Sequence, residues 1–215
     1  MTPPSVFVVD DEPSVQTAFM RLLASAGYQV RGFLSARAFL AEYRPVAPGC
    51  LILDLQMPEV TGLDLLETLR TTDPSLGVIF VSGRGDVPAT AKAMKMGAVD
   101  FLTKPVDDAV LLGAVASASQ RSTELWLERE EHARLSERHA RLTPREREVC
   151  ALVARGLLNK QIAFDLGTSE KTIKVHRARV MVKLGVESVA ELVRFVDRLR
   201  IGNASGRVSG PPSGA

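Results

Sequence analysis

The first half of this chain alternates short apolar runs with helix-length segments, and most of the apolar runs end on a polar residue. VFVVDD delivers Asp10 and Asp11, CLILD delivers Asp54, VIFVS delivers Ser82, and VDFLTKP delivers Lys104 just before Pro105. Continuous apolar or β-branched runs of this length read as strands buried on both faces, the mark of a parallel sheet. Strands are expected at 5–9, 28–33, 50–53, 78–81 and 99–102, with helices at 14–26, 35–42, 62–70, 87–96 and from 107 onward. Of the strands, YQVRGF at 28–33 is the shortest in apolar content and the most mixed. The regular alternation predicts an α/β fold, a five-stranded doubly wound parallel sheet of flavodoxin-like type. In such sheets the strands share one carboxyl edge, and ligands bind there. Three carboxylates, a hydroxyl and an ammonium are therefore expected to meet in one cleft. Crowded carboxylates repel one another, and a hard divalent cation such as Mg²⁺ would relieve that repulsion.

Charge divides the chain unevenly. Residues 1–120 carry 9 Lys/Arg against 13 Asp/Glu, residues 121–140 carry 4 against 5, and residues 141–215 carry 14 against 7. A basic last third suits a polyanion, above all nucleic acid. Cys50 and Cys150 lie in an expected core strand and helix, outside any CxxC or metal-ligand spacing, and read as buried thiols in a reducing compartment. The start lacks the layout of a signal peptide and no apolar run approaches ~18–20 residues, so a cytoplasmic protein with no membrane partner is expected.

Four segments follow: an α/β domain over 1–120, a helical linker over 121–140, an all-α domain of four helices over 141–201, and a disordered tail over 202–215. Asp86 with Pro88 is expected to start the helix at 87–96. Leu111, Ala118, Leu125 and His132 recur every seven residues, but Ala114, Arg121 and Glu128 spoil a coiled-coil seam. A semi-rigid spacer is expected instead, with Leu125, Trp126 and Leu135 making contacts and His132 and His139 solvated. In LTPREREVCALVARG, Thr143 caps a helix, Pro144 occupies its first turn and Glu146 returns the bond to the cap. Asn159 to Leu166 forms a second helix and Gly167 turns the chain. Ser169 caps a third helix that ends at Gly185, and Ser188 with Glu191 boxes a fourth. The spacing of Ile173, His176, Val180 and Leu184 defines one apolar face, to be covered by Val149, Leu152, Val153, Ile162, Leu166, Val189 and Leu192. His176 is expected there as a hydrogen-bonded core residue.

Asp54 is the natural nucleophile, since a carboxylate attacking phosphorus gives an acyl phosphate that can later hydrolyse. Asp10 and Asp11 would hold the metal, while Lys104 and the Ser82 hydroxyl would each meet a phosphoryl oxygen. DD at 10–11, DLQMPEVTGLDLL at 54–66 and VSGRGDVPATAKAMKMGAVDFLTKP at 81–105 resemble the receiver domain of two-component response regulators. That resemblance implies phosphorylation of Asp54 by a sensor histidine kinase. It also implies Mg²⁺ bound by Asp10, Asp54 and the backbone carbonyl of Gln56, and through water by Asp11. Ser82 would move toward the phosphoryl group, Phe101 would be the rotating aromatic, and the Lys104–Pro105 bond would be cis.

In the basic domain Lys171, Lys174, Val175 and Ala178 point away from the core, and an outward basic helix after a short turn suits a major groove. LTPREREVCALVARGLLNKQIAFDLGTSEKTIKVHRARVMVKLGV resembles the four-helix LuxR-type DNA-binding domain. Together with the receiver it resembles the FixJ-type branch of the NarL/FixJ response regulators, and the long linker is similar to that of the StyR/TodT group of aromatic-hydrocarbon regulators. The resemblance implies that Lys174 and Val175 contact bases, that Ala178 stands where some relatives carry Lys, and that the last helix supports dimerisation. Lys171 and Arg177 are expected at phosphates, with Asn159 and Lys160 adding backbone contacts. The expected function is a phosphorylation-switched regulator of transcription that binds promoter DNA and meets RNA polymerase. It would form a homodimer through Val87, Lys92, Lys95, Asp107 and Val110 once phosphorylated. A constitutive DNA binder, a phosphorelay intermediate and a metal-dependent phosphatase are the alternatives. The five pocket residues weigh against the first, the basic helix has no role in the second, and the third lacks a further acid or base.

Overall fold

Burial of both sheet faces explains why the strands are so apolar. The computed structural model describes residues 5–45, 48–83 and 87–205, with 202–205 described by backbone alone. Asp86, the expected cap, lies outside the described residues. The chain divides into two compact units, Met1–Leu127 and Glu128–Ala215.

In the first unit the elements are β1 (Ser5–Val9), α1 (Pro13–Ser25), β2 (Gln29–Phe33), α2 (Ala36–Glu42), β3 (Gly49–Asp54), α3 (Gly62–Thr72), β4 (Gly77–Ser82), α4 (Val87–Lys95) and β5 (Asp100–Thr103). The 33-residue α5 (Asp108–Ala140) begins in this unit and ends in the next. All strand pairs are parallel, in the order β2-β1-β3-β4-β5. Side chains alternate across the sheet: Leu51, Leu53, Val78 and Phe80 join Phe39, Leu65, Leu69 and Ala93 on one face. Val6, Val8, Cys50, Ile52, Ile79 and Val81 join Leu23, Leu111, Val115 and Ala118 on the other. Every residue of β3 and β4 is buried, as their unbroken apolar runs require. The mixed β2 is an edge strand, so one of its sides has no neighbour to bury it. Burial pushes the Cys50 thiol up and the Cys150 thiol up to about 11, which leaves both as free, inert core thiols.

The second unit contains the end of α5 with α6 (Pro144–Ala154), α7 (Asn159–Asp165), α8 (Glu170–Leu184) and α9 (Val189–Ser205). Its core joins Leu142, Val149, Cys150, Val153, Ile162, Ile173, Val180, Leu184, Leu192, Phe195 and Val196. Among the described residues no helix is long and apolar enough to cross a membrane.

Several expectations about this region change. The stretch 121–140 is helical, as expected of a semi-rigid spacer, but it is tied in at more than the expected contacts. Ser122 is fully buried and its hydroxyl accepts the Gly49 N–H at 3.0 Å, while Leu135 packs on the second core. His132 is half-buried with Nε2 3.2 Å from the Leu199 carbonyl oxygen, and His139 is half-buried as well, so neither is simply solvated. Burial, with Arg147 nearby, lowers the His139 pKa. Val189 is 38 % exposed and does not cover the core; Phe195 and Val196, two helical turns further on, do. Glu191 accepts from the Glu187 N–H rather than from that of Ser188, although Ser188 still receives the Glu191 N–H at 3.2 Å. Finally, α9 continues to Ser205, past the expected boundary at 201.

Candidate functional site

At the carboxyl edge of the sheet, β1 leads into Asp10, Asp54 ends β3 and Ser82 ends β4. Lys104 follows β5, tied in by its N–H to the Ser82 carbonyl at 2.8 Å, and its bond to Pro105 is cis. The separate strand ends thus converge as the parallel register demands. Asp10, Asp11 and Asp54 each offer a carboxylate oxygen within 4.8 Å of the others. Asp10 and Asp54 are buried and Asp11 is exposed, so the cluster opens toward solvent on the Asp11 side. The Lys104 ammonium donates to Asp10 Oδ2 at 2.7 Å and lies 3.8 Å from Asp54 Oδ2. Asp10 is oriented further by the Glu12 N–H, which donates to its Oδ1 at 3.0 Å.

Burial pushes the Asp54 carboxyl above the usual range; the Lys104 ammonium opposes this, Asp10 adds to it, the Gln56 N–H opposes it and Asp11 adds to it again. Three carboxylates facing one ammonium form a donor set of hard oxygens with excess negative charge, which fits a divalent cation of the Mg²⁺ kind. Gln56 stands at this rim with its backbone N–H on Asp54.

The loop that carries Gln56 is held by local constraints. Glu59 adopts a left-handed φ of 65° and the Val60 N–H reaches the Pro58 carbonyl at 2.7 Å. Thr61 and Asp64 then form a reciprocal capping box at the start of α3. Between them, Gly62 passes so close to β3 that a Cβ would meet the Asp54 carbonyl oxygen and the Phe80 ring. Gly62 escapes sequence reasoning because its role is the absence of a side chain. Phe101 is half-buried and stacks on Phe80 with ring centroids 6.2 Å apart. Ser82 is buried at the end of β4. Val87, Lys92, Lys95, Asp107 and Val110 are all exposed, and Asp107 is engaged in capping α5 through the Ala109 and Val110 N–H groups.

In the second unit, α7 and α8 are joined by a turn in which Gly167 takes a φ of 61° and Ser169 caps α8 by accepting the Thr172 N–H. Lys171, Lys174, Val175 and Ala178 are exposed on α8, and Lys160 is exposed on α7. Arg177 and Asn159 are engaged with each other, the guanidinium donating to Asn159 Oδ1 at 2.7 Å, and this clips α8 to the start of α7. His176 is half-buried beside the core, but its Nδ1 has no hydrogen-bond partner among the described residues, contrary to the expected bond. Beneath this surface, buried Glu146 accepts from the Lys183 ammonium at 2.6 Å and from the Thr143 N–H at 2.8 Å.

Comparison with known proteins covers both units. Residues 6–116 match the response regulator receiver domain, and residues 140–196 match the LuxR family of bacterial regulatory proteins. The response regulator protein TodT of Pseudomonas putida is 42% identical over 195 residues, which cover 91% of this chain and 86% of TodT. The transcriptional regulatory protein FixJ of Azorhizobium caulinodans is 42% identical over 190 residues, covering 88% of this chain and 90% of FixJ. The solved structure of the response regulator StyR superposes with a TM-score of 0.82 at 43% identity, over 91% of this chain and 99% of StyR.

Proposed function

This chain belongs to the NarL/FixJ family of two-component response regulators, in which a receiver precedes a LuxR-type helix-turn-helix domain, and we propose that Asp54 is its phosphoacceptor. The family makes it a phosphorylation-regulated, DNA-binding regulator of transcription, a signalling module and not an enzyme with a turnover substrate of its own. Membership also implies a cognate sensor kinase and promoter DNA as partners.

The observation that carries the assignment is the placement of Asp54 at the end of the central strand, between the Asp10/Asp11 carboxylates and the Lys104 ammonium. A carboxylate oxygen of Asp54 bonds to phosphorus as the bond to the kinase's phosphohistidine nitrogen breaks, and the imidazole leaves with that electron pair. Asp10, Asp11, Asp54 and the Gln56 carbonyl are the residues to hold Mg²⁺, which when bound offsets the charge of the carboxylates and of the incoming phosphoryl group. Lys104 then exchanges part of its contact with Asp10 for a phosphoryl oxygen, and the Ser82 hydroxyl donates to another. Phe101, at the edge of the core beside Phe80, is the residue to report this rearrangement on the α4–β5–α5 surface. Val87, Lys92, Lys95, Asp107 and Val110 on that surface form the homodimer contact. On DNA, α8 enters the major groove with Lys174 and Val175 at base edges, while Lys171 and Lys160 meet phosphates and Arg177 with Asn159 positions the helix. RNA polymerase is the further partner through which a bound dimer acts on transcription.

A small phosphodonor with Mg²⁺ should add one phosphoryl group to the parent, read by intact mass, and Asp54→Asn should remain unlabelled. Full labelling of Asp54→Asn overturns the assignment.

A further inference from the structure

The amino edge of the sheet, opposite the edge that holds Asp54, is concave as well. There the end of α3, the start of β4, the turn between α4 and β5 and one stretch of α5 enclose a cavity of about 490 Å³. Pockets for small ligands run from about 300 to 1,000 Å³. All of its lining belongs to the first unit. Gly77 sets the approach of α5: a Cβ there would meet the Ala118 carbonyl oxygen, so the helix comes close to β4. Positions three and seven residues further on share that side of the helix, and they bring Arg121 and Leu125 into the lining.

The lining combines two chemistries. Buried Leu66, Leu69, Leu76, Val78 and Ala98, with half-buried Leu125, supply saturated hydrocarbon, and no aromatic ring stands among the lining residues. Its charged side chains are Arg70, Arg121 and Asp73. Asp73 is buried and already engaged, its Oδ2 accepting the Tyr43 hydroxyl at 2.5 Å and its Oδ1 the Ser75 N–H at 3.2 Å. The two guanidinium groups are exposed and loosely held. Arg70 donates one N–H to the Met96 carbonyl at 2.9 Å, and Arg121 stands 3.7 Å from Glu124, which is outside the lining and beyond hydrogen-bond length. A guanidinium carries several N–H donors, so both keep some for a ligand. Two cations against one carboxylate complement a single negative charge. We propose that this cavity binds an aliphatic carboxylate of medium chain length, with Arg70 and Arg121 on the carboxylate and the chain along Leu69, Leu76 and Val78. Such a ligand ties α3, β4 and the α4–β5 turn to α5, the helix that continues into the second unit.

Octanoate is the probe, titrated into isotope-labelled full-length protein and followed by amide chemical shifts. Saturable shifts should concentrate at Gly77, Gly97 and Ala98. Their absence overturns the proposal, as do shifts concentrated at Asp11, Gln56 and Lys104, which place the anion at the opposite edge. Butanoate, four methylenes shorter, should bind at least about tenfold more weakly. Octanol and octylamine should each bind about tenfold more weakly than octanoate, since neither pairs with a guanidinium. Butanoate equal to octanoate removes the role of the chain, octanol equal to octanoate makes the cavity merely apolar, and octylamine binding more tightly makes Asp73 the deciding charge; each overturns the assignment. Arg121→Gln gives up only an exposed ion pair and keeps the fold. It and Arg70→Gln should each weaken octanoate about tenfold and leave octanol unchanged. Octanoate affinity undiminished in both variants overturns the proposal.

Discussion

Glu146 is a buried carboxylate whose two partners come from different parts of the second unit, Thr143 at the cap of α6 and Lys183 near the end of α8. The Lys183 hydrogen bond, followed by that from the Thr143 N–H, holds its carboxyl down at about 2 against the opposing effect of burial. An unfolded glutamate titrates near ~4.3. With the folded value the lower of the two, the stabilisation is complete above about pH 5 and is lost as pH falls toward the folded value. Glu146→Gln leaves the Lys183 ammonium without its counter-charge, and should cost about 1.5–3 kcal/mol at neutral pH, as for a hydrogen bond to a charged group. The difference between parent and variant should then shrink on acidification. Urea unfolding of both proteins at a series of pH values checks this, and a difference that stays constant through the acid range contradicts it.

At the scale of elements, the link between β3 and α3 bears most directly on phosphorylation. Thr61 caps α3 from both directions and Gly62 lies against the carbonyl of Asp54, the proposed acceptor. Thr61→Ala removes a cap and should cost about 1 kcal/mol, with the rate of phosphorylation close to that of the parent. Gly62→Ala should do more, because its Cβ can be accommodated only by moving the end of β3. A loss of ~1–3 kcal/mol is expected from that overpacking, together with slower labelling by a phosphodonor. Labelling at the parental rate in Gly62→Ala would show that the close approach leaves the acceptor free to adjust. These elements were legible in the sequence to different degrees. β3 and β4 stood out because burial on both faces demands unbroken apolar runs, and the Thr143 box because its hydrogen bonds are local. The Glu191 carboxylate takes the Glu187 N–H and not that of Ser188, a choice between neighbouring N–H groups that local spacing does not decide.

The molecule as a whole joins an acidic receiver to a basic DNA-binding unit, and α5 contributes residues to both. In the proposed scheme, coupling between phosphorylation and assembly begins at groups that sense the phosphoryl charge, and the Lys104 ammonium lies 3.8 Å from Asp54 Oδ2. Lys104→Ala should still accept a phosphoryl group, since Asp10, Asp11 and Asp54 are intact, but should dimerise far less for the same degree of labelling. Sedimentation of parent and variant with and without phosphodonor measures this; dimerisation of labelled Lys104→Ala at the parental level would assign the coupling elsewhere.

The sequence by itself determined the parallel sheet, the carboxyl-edge cluster of Asp10, Asp54, Ser82 and Lys104, and the four basic-domain helices. Each of these follows from periodicity or from contacts within a few residues, and parallel topology then carries strand ends to a common edge without further information. Tertiary structure alone decided how residues far apart in sequence are paired. It brought Glu146 to Lys183, engaged Arg177 with Asn159, and laid Gly62 against the Asp54 carbonyl. It also drew Ser122 and Leu135 of the expected spacer into separate cores and left Val189 exposed while Phe195 and Val196 filled its place. An amphipathic stripe states that a face will be buried; which of several apolar neighbours buries it depends on helix packing, and that is settled only when the elements meet.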